Sequence, residues 1–353
     1  MMGMYQQDFL SKWMEGTGPA SDVVISSRIR LARNLEATAF PPRISTEEAS
    51  QVIGQVSSAV AVLPRQEGFQ LTKMQDLSDL EKQVMVEKHL ISPLLARQSK
   101  PAAVVLSENE AVSIMVNEED HLRIQCLYPG LQLNKALEHC TLLDDVLEER
   151  LSYAYKEPFG FLTSCPTNVG TGMRASVMVH LPGLALSKRA VQVFNAVSKL
   201  GVVVRGIYGE GSEGSGNIFQ ISNQITLGHS EEEIIHNLEG VTQQVIDRER
   251  DTRTMLQEEL GVHIEDRIFR ARGVLENARI ANSEETIRLL SDLRLGVDLG
   301  IVEDIPPKLI NELIVLTRPA CLQMCSGGPL PSDQRDLRRA EIMRERLKKT
   351  EKA

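Results

Sequence analysis

The sequence predicts an α+β fold, a mainly antiparallel sheet flanked by helices and followed by a smaller all-helical part. Three observations carry this. Short apolar runs recur through the first two thirds of the chain, several joined by turns too short for crossover helices, so those neighbouring strands reverse direction. Helix-opening patterns are interspersed among them. Beyond about residue 229 the strand signals largely vanish and apolar residues recur at helical spacing. With 353 residues, the chain exceeds one typical compact domain. The expected division is 1–229 for the sheet-bearing part and 230–353 for the helical part.

Residues 22–31 (DVVISSRIRL) alternate in the β manner. A helix over 46–63 is entered through Thr46, Glu47 and Glu48, and Ser78-Asp79-Leu80-Glu81 is a capping box opening another toward Leu90. Strand-like runs follow at 102–106, 111–116 and 121–128, with acidic turns between them, then a helix over 132–150. Strands return at 159–164, 174–181, 202–208 and 217–225, with a helix near 187–200. Ser230 and Glu233 form a further capping box, followed by Ile234, Ile235, Leu238, Val241 and Val245 on one helical face. The segment 326–332 (SGGPLPS) reads as a loop, and the basic stretch after it as a final helix.

Charge narrows the function classes. With 39 basic against 48 acidic residues, a chain-wide grip on nucleic acid or an anionic membrane is excluded. Aromatic residues make up only 4%, too few for a base- or sugar-stacking surface. No apolar run approaches the roughly 20 residues that span a bilayer. The N-terminus lacks the basic segment and apolar core of a signal peptide. Five scattered cysteines without a C-x-x-C pair argue against a disulfide framework or structural zinc. These features together predict a cytoplasmic protein. Yet 26 of the 39 basic residues are arginine, the side chain suited to bidentate capture of phosphate or carboxylate.

Five of those arginines form a constellation. Arg28 and Arg30 lie two apart on one strand and share a face. Arg123 lies on another strand, just after the acidic turn Asn117-Glu118-Glu119-Asp120. Arg174 ends the loop that begins at Cys165. Arg205 sits inside the apolar strand VVVRGIYG, where an unpartnered charge would be costly. Taken singly, each arginine has an ion pair as its ordinary explanation. Together they fit a polyanion site, able to neutralise the phosphates of ATP and the charge of a transferring phosphoryl group. Gly209-Glu210-Gly211-Ser212-Glu213-Gly214 matches the dinucleotide fingerprint in letters only, because a strand-like run rather than a helix follows it.

The segments VVISSRIRLARNL (23–35), VNEEDHLRI (116–124), FLTSCPTNVGTGMRASV (161–177) and VRGIYGEGSEGSGNIFQISN (204–223) together resemble the ATP:guanido phosphotransferase, or phosphagen kinase, family. The resemblance implies a glutamine-synthetase-like sheet and transfer of the ATP γ-phosphoryl group to a guanidinium nitrogen, with Mg2+ accompanying ATP. It assigns Ser27, Arg28, Arg30, Arg123, Arg174 and Arg205 to ATP, Glu119 and Glu210 to the substrate guanidinium, and Cys165 to a place beside it. No protein ligand for the metal is assigned. Met178 stands where small-substrate members commonly have histidine, so no adenine contact is transferred there.

The first motif begins near residue 22, without the helical domain that precedes it in small-substrate members. The chain ends in helices carrying Arg335-Asp336-Leu337-Arg338-Arg339-Ala340. Both traits resemble the protein-arginine kinase branch of the family. That likeness implies protein substrates with exposed arginine and a phosphoarginine-binding site at Arg335, Asp336 and Arg339. It also implies a homodimer and stress-response partners: a zinc-containing activator, a heat-shock repressor and a Clp-type protease. The chemistry agrees. A guanidinium is a poor nucleophile, and paired carboxylates can orient it and accept the proton it loses. A small-molecule guanidino kinase and an inactive phosphoarginine-binding adaptor are the alternatives, and turnover separates them.

Overall fold

The computed structural model describes residues 10–207 and 215–350. In chain order the strands are β1 (Val24–Arg33), β2 (Gln70–Lys73), β3 (Ala103–Leu106), β4 (Val112–Val116), β5 (Leu122–Pro129), β6 (Tyr155–Lys156), β7 (Gly160–Phe161), β8 (Met173–His180), β9 (Val202–Gly206) and β10 (Ile218–Asn223). Helices α1 (Thr46–Val60), α2 (Asp79–Glu87), α3 (Pro93–Ala96), α4 (Leu133–Glu148), α5 (Pro182–Leu186) and α6 (Ala190–Ser198) lie among them. Then come α7 (Glu231–Asn277), α8 (Ser283–Asp298), α9 (Pro307–Leu316), α10 (Pro319–Cys325) and α11 (Ser332–Thr350).

Eight strands form one sheet in the order β2-β3-β4-β5-β1-β8-β10-β9, and every neighbouring pair is antiparallel. The capping boxes read at Ser78 and Ser230 are present, closed by Glu81 and Glu233, and Ser45 closes a third with Glu48 at the start of α1. Two of the differences from expectation concern strands. The strand expected over 159–164 shrinks to β7, which pairs only with β6. Phe161 bridges to Gly170, and the chain between them forms a loop instead of extending the main sheet. The other difference is β2, a polar edge strand without the apolar alternation that sequence reading relies on.

Strand alternation divides the sheet into two faces. Ile29, Leu31, Ile124, Cys126, Ala175, Val177, Val179 and Ile221 point to one face, where they share a buried core with residues of α1, α4 and the first half of α7. A second core joins the later helices to Trp13 and to Ile25, Leu127, Met178 and Ile218 of the sheet. The expected division at 229/230 falls just before α7, whose 47 residues contribute to both cores.

Candidate active site

The sheet face opposite the first core carries the charged row. Arg30 lies directly across from Arg174 on β8 and from Gln125 on β5. Arg28 lies across from Ser176, Arg123 from Ala32, and Arg205 from Gln220. Residues directly opposite in an antiparallel ladder share a face. The five arginines therefore converge on a cleft of about 640 Å³ that Glu119 and Cys165 also line.

The guanidinia of Arg28 and Arg30 are crowded cations with few counter-charges. Arg28 donates to Ser176 Oγ at 3.2 Å and Gln220 Oε1 at 2.7 Å, both neutral acceptors. Burial, then the fields of Arg174 and Arg123, push its pKa down to about 10. Burial and the same neighbours, with Arg28, push Arg30 well below the usual range. Arg174 is lowered by burial and by Arg205 and Arg123, with Cys165 and Glu119 partly countering. The Nε groups of Arg30 and Arg174 have no hydrogen-bond partner among the described residues. Such a concentration of buried positive charge favours a multiply charged anion.

Arg205 departs from the sequence reading, which placed it inside an apolar strand in need of a partner. β9 is the sheet edge and Arg205 is exposed at the cleft, so water solvates its charge. Arg123 is held differently from the others. Its Nη1 donates to Glu118 Oε1 at 2.8 Å and its Nη2 to Glu119 Oε2 at 2.8 Å. Glu118 is buried and also accepts from Ser92 Oγ, whereas the Glu119 side chain is 35% exposed and opens to the cleft. Of the two, Glu119 has the access that a substrate guanidinium needs.

Asp120 is fully buried and has a structural task. Its Oδ1 accepts from Asn34 Nδ2 at 2.7 Å and from the Ser164 backbone N–H at 2.6 Å, tying the acidic turn to the loop that bears Cys165. Arg33 holds the far end of that loop. Its Nη1 donates to Thr171 O at 2.9 Å, its Nε and Nη2 grip Asp144 Oδ2 at 2.9 and 2.6 Å, and its guanidinium lies 3.6 Å from the Phe161 ring centroid. Gly172 closes the loop in left-handed geometry (φ 65°), and an added Cβ there would meet Ala32 O at 2.6 Å. Cys165 is half-buried, with Sγ 3.0 Å from Thr167 Oγ1.

Ser27 does not join this group. It is fully buried, donates to Gly130 O at 2.8 Å and accepts from Gln132 N at 2.9 Å, because alternation points it away from Arg28 and Arg30. Glu210 lies outside the described residues. In α11, Arg339 is an interior brace: Nε donates to Thr317 O and Nη1 to Ala281 O, each at 2.8 Å, and Nη1 also pairs with Asp336. Arg335 and Asp336 are only partly covered. Sequence reading missed His89, Ser92, Gln220 and Arg318, which also line the cleft. Among the described residues, no group of three or more His, Cys, Asp or Glu side chains is placed to hold a metal ion. No described helix is long and apolar enough to cross a membrane.

Two histidines, His121 buried behind the site and His89 partly covered in the cleft wall, predict a pH response. His121 accepts from Leu35 N at 3.0 Å through Nδ1, which leaves Nε2 to donate to Ala39 O at 3.1 Å, fixing a neutral ring. Burial pushes its pKa down to about 4; burial, with the fields of Arg28 and Arg318, pushes His89 down to about 3. An unfolded histidine titrates near 6.5, so below that pH the unfolded chain binds more protons and the fold loses stability. Urea midpoints are expected to fall as pH drops from about 6.5 toward 4. Histidine-ring NMR should show both side chains neutral at pH 5.5, and protonated rings there would contradict the assignment.

Residues 51–252 match the family model described as ATP:guanido phosphotransferase, C-terminal catalytic domain, and residues 261–353 match that of the protein-arginine kinase McsB C-terminal domain. The protein-arginine kinase of Bacillus subtilis (strain 168) is 53% identical over 343 residues, covering 97% of this chain and 94% of the relative. That of Geobacillus stearothermophilus is 52% identical over 348 residues, covering 98% and 96%. Among solved structures, lombricine kinase aligns with a TM-score of 0.59 at 23% identity, covering 67% of this chain and 68% of that one. At that identity the likeness is one of fold.

Proposed function

This chain belongs to the ATP:guanido phosphotransferase family, and we propose that within it the chain is a protein-arginine kinase, moving the ATP γ-phosphoryl group onto arginine side chains of proteins. The observation that carries the reading is the single cleft lined by five arginines, Glu119 and Cys165. The arginines take the ATP phosphates, and Mg2+ accompanying the nucleotide would add Lewis-acid neutralisation of phosphate charge. Glu119 aligns the incoming guanidinium and accepts the proton lost when nitrogen attacks phosphorus. A nitrogen–phosphorus bond forms, the bond from the γ-phosphorus to the ADP oxygen breaks, and the arginines stabilise the charge spread between them. Glu210 is the second carboxylate under this reading, and Cys165 flanks the guanidinium.

The helical part belongs to the same proposal as a dimerisation and phosphoarginine-binding region. Arg335 and Asp336 would meet the ligand while Arg339 braces the helix beneath them. The cytoplasmic, stress-response setting, with a zinc-containing activator, a heat-shock repressor and a Clp-type protease, is likewise proposed. The test is phosphoamino-acid analysis of a protein substrate after incubation with labelled MgATP. Acid-labile phosphoarginine is expected. Acid-stable phosphoserine would refute the reading, and label confined to free arginine would replace it with a small-molecule guanidino kinase.

A further inference from the structure

The cleft contains a sixth arginine that does not come from the sheet. Arg318 stands at the start of α10, in the helical part, and lines the same cavity as Arg28 and Arg30. The fields of Arg28 and Arg318 both act on His89, which lines the cleft between the sheet and the helices. That common neighbour puts Arg318 at the Arg28 end of the row. We propose that Arg318 is a nucleotide-binding residue, contacting the triphosphate of ATP, so that the helical part completes the nucleotide site. This rests on the reading of the cleft as an ATP site.

Two buried attachments fix the backbone that presents Arg318. On its C-terminal side, the buried carboxylate of Glu87, at the end of α2, accepts from Ala320 N at 3.0 Å and Cys321 N at 2.8 Å. On its N-terminal side, Thr317 O accepts from Arg339 Nε at 2.8 Å. α10 is therefore lashed both to the catalytic sheet's own helix and to α11. With the backbone already fixed at its root, only the side chain's own rotamers are ordered when it meets a phosphate, which favours binding over a residue on a loose segment. Arginine suits the task because its planar fork can bridge two phosphate oxygens, a geometry lysine cannot reproduce.

The experiment measures affinity for a non-hydrolysable ATP analogue with Mg2+ by calorimetry, using Arg318→Ala, Arg318→Lys and, as a reference, Arg28→Ala. Arg318→Ala is expected to weaken binding about 10- to 100-fold, the range for one charge-assisted contact, with Arg318→Lys intermediate. The loss should extend to inorganic tripolyphosphate but spare adenosine, whereas a merely structural defect would weaken both. Analogue affinity at the wild-type level in Arg318→Ala, with binding lost in Arg28→Ala, would overturn the assignment and leave the ATP cleft standing. Wild-type affinity in both would overturn the ATP reading itself. If Arg318→Ala does not fold, Arg318→Lys decides: unchanged tripolyphosphate affinity refutes the proposal, and a selective fall supports it.

Discussion

Glu119→Ala is expected to lower the rate of arginine phosphorylation by about 10²- to 10⁴-fold, the usual contribution of one positioned proton acceptor. The affinity for nucleotide should change far less. Glu119 holds Arg123 Nη2, but Glu118 retains Nη1 from a buried position, so Arg123 keeps its place when Glu119 is removed. Single-turnover transfer to a protein substrate, read beside calorimetric binding of the ATP analogue, separates the two effects. An equal loss in both would reassign Glu119 as a support for Arg123. Unimpaired transfer would remove it from the reaction. Glu119→Gln sharpens the comparison, since it retains the shape and loses the proton acceptor.

The largest effect on stability is expected at Asp144. Its partner Arg33 is 2% exposed, and the ion pair between them closes at 2.6 Å beneath the loop that carries Cys165. Asp144→Ala leaves a buried guanidinium without its counter-charge, and removing one member of such a pair costs about 3–5 kcal/mol. Urea unfolding should register that loss. Activity should fall too at temperatures where the variant is folded, because Arg33 also holds Thr171 O and lies against Phe161. Replacing both members with apolar residues, Asp144→Leu together with Arg33→Met, should recover much of the stability but not the loop position. A cost below about 1 kcal/mol for Asp144→Ala would show that water reaches Arg33 and that the pair is effectively a surface one.

How much of this was legible in the sequence depended on the range of the interaction. The two-residue strand period placed Arg28 and Arg30 on one face without any knowledge of the neighbours. Which strands stand beside β1 is set by pairing across long stretches of chain, so the opposition of Arg30 and Arg174 became visible only in the folded register. Arg205 was misjudged for the same reason. Its apolar neighbours suggest an interior strand, and nothing local reveals that β9 is an edge. Asn34, Asp120 and Ser164 are each ordinary loop or turn residues in sequence, and only tertiary contact makes them the clasp behind Cys165. Arg318 carried no signal at all, since Thr-Arg-Pro reads simply as the entry to a short helix. The acidic turn shows the limit in the other direction. Only the family resemblance singled out Glu119 there, since local pattern does not rank the three carboxylates; in the fold Glu119 opens to the cleft while Glu118 and Asp120 are buried.

The second core has a consequence for how the chain tolerates change. Ile25, Leu127 and Met178 belong to strands that also bear cleft arginines, and Ile218 to β10, which lends Gln220 to the cleft, yet their side chains are packed among residues of the late helices. The sheet and the helices consequently have no seam along which they could part without exposing an apolar floor to water. Loosening in one is therefore felt in the other as a shared loss of stability, and a substitution deep in the helical part can weaken the support of the arginine row without touching it.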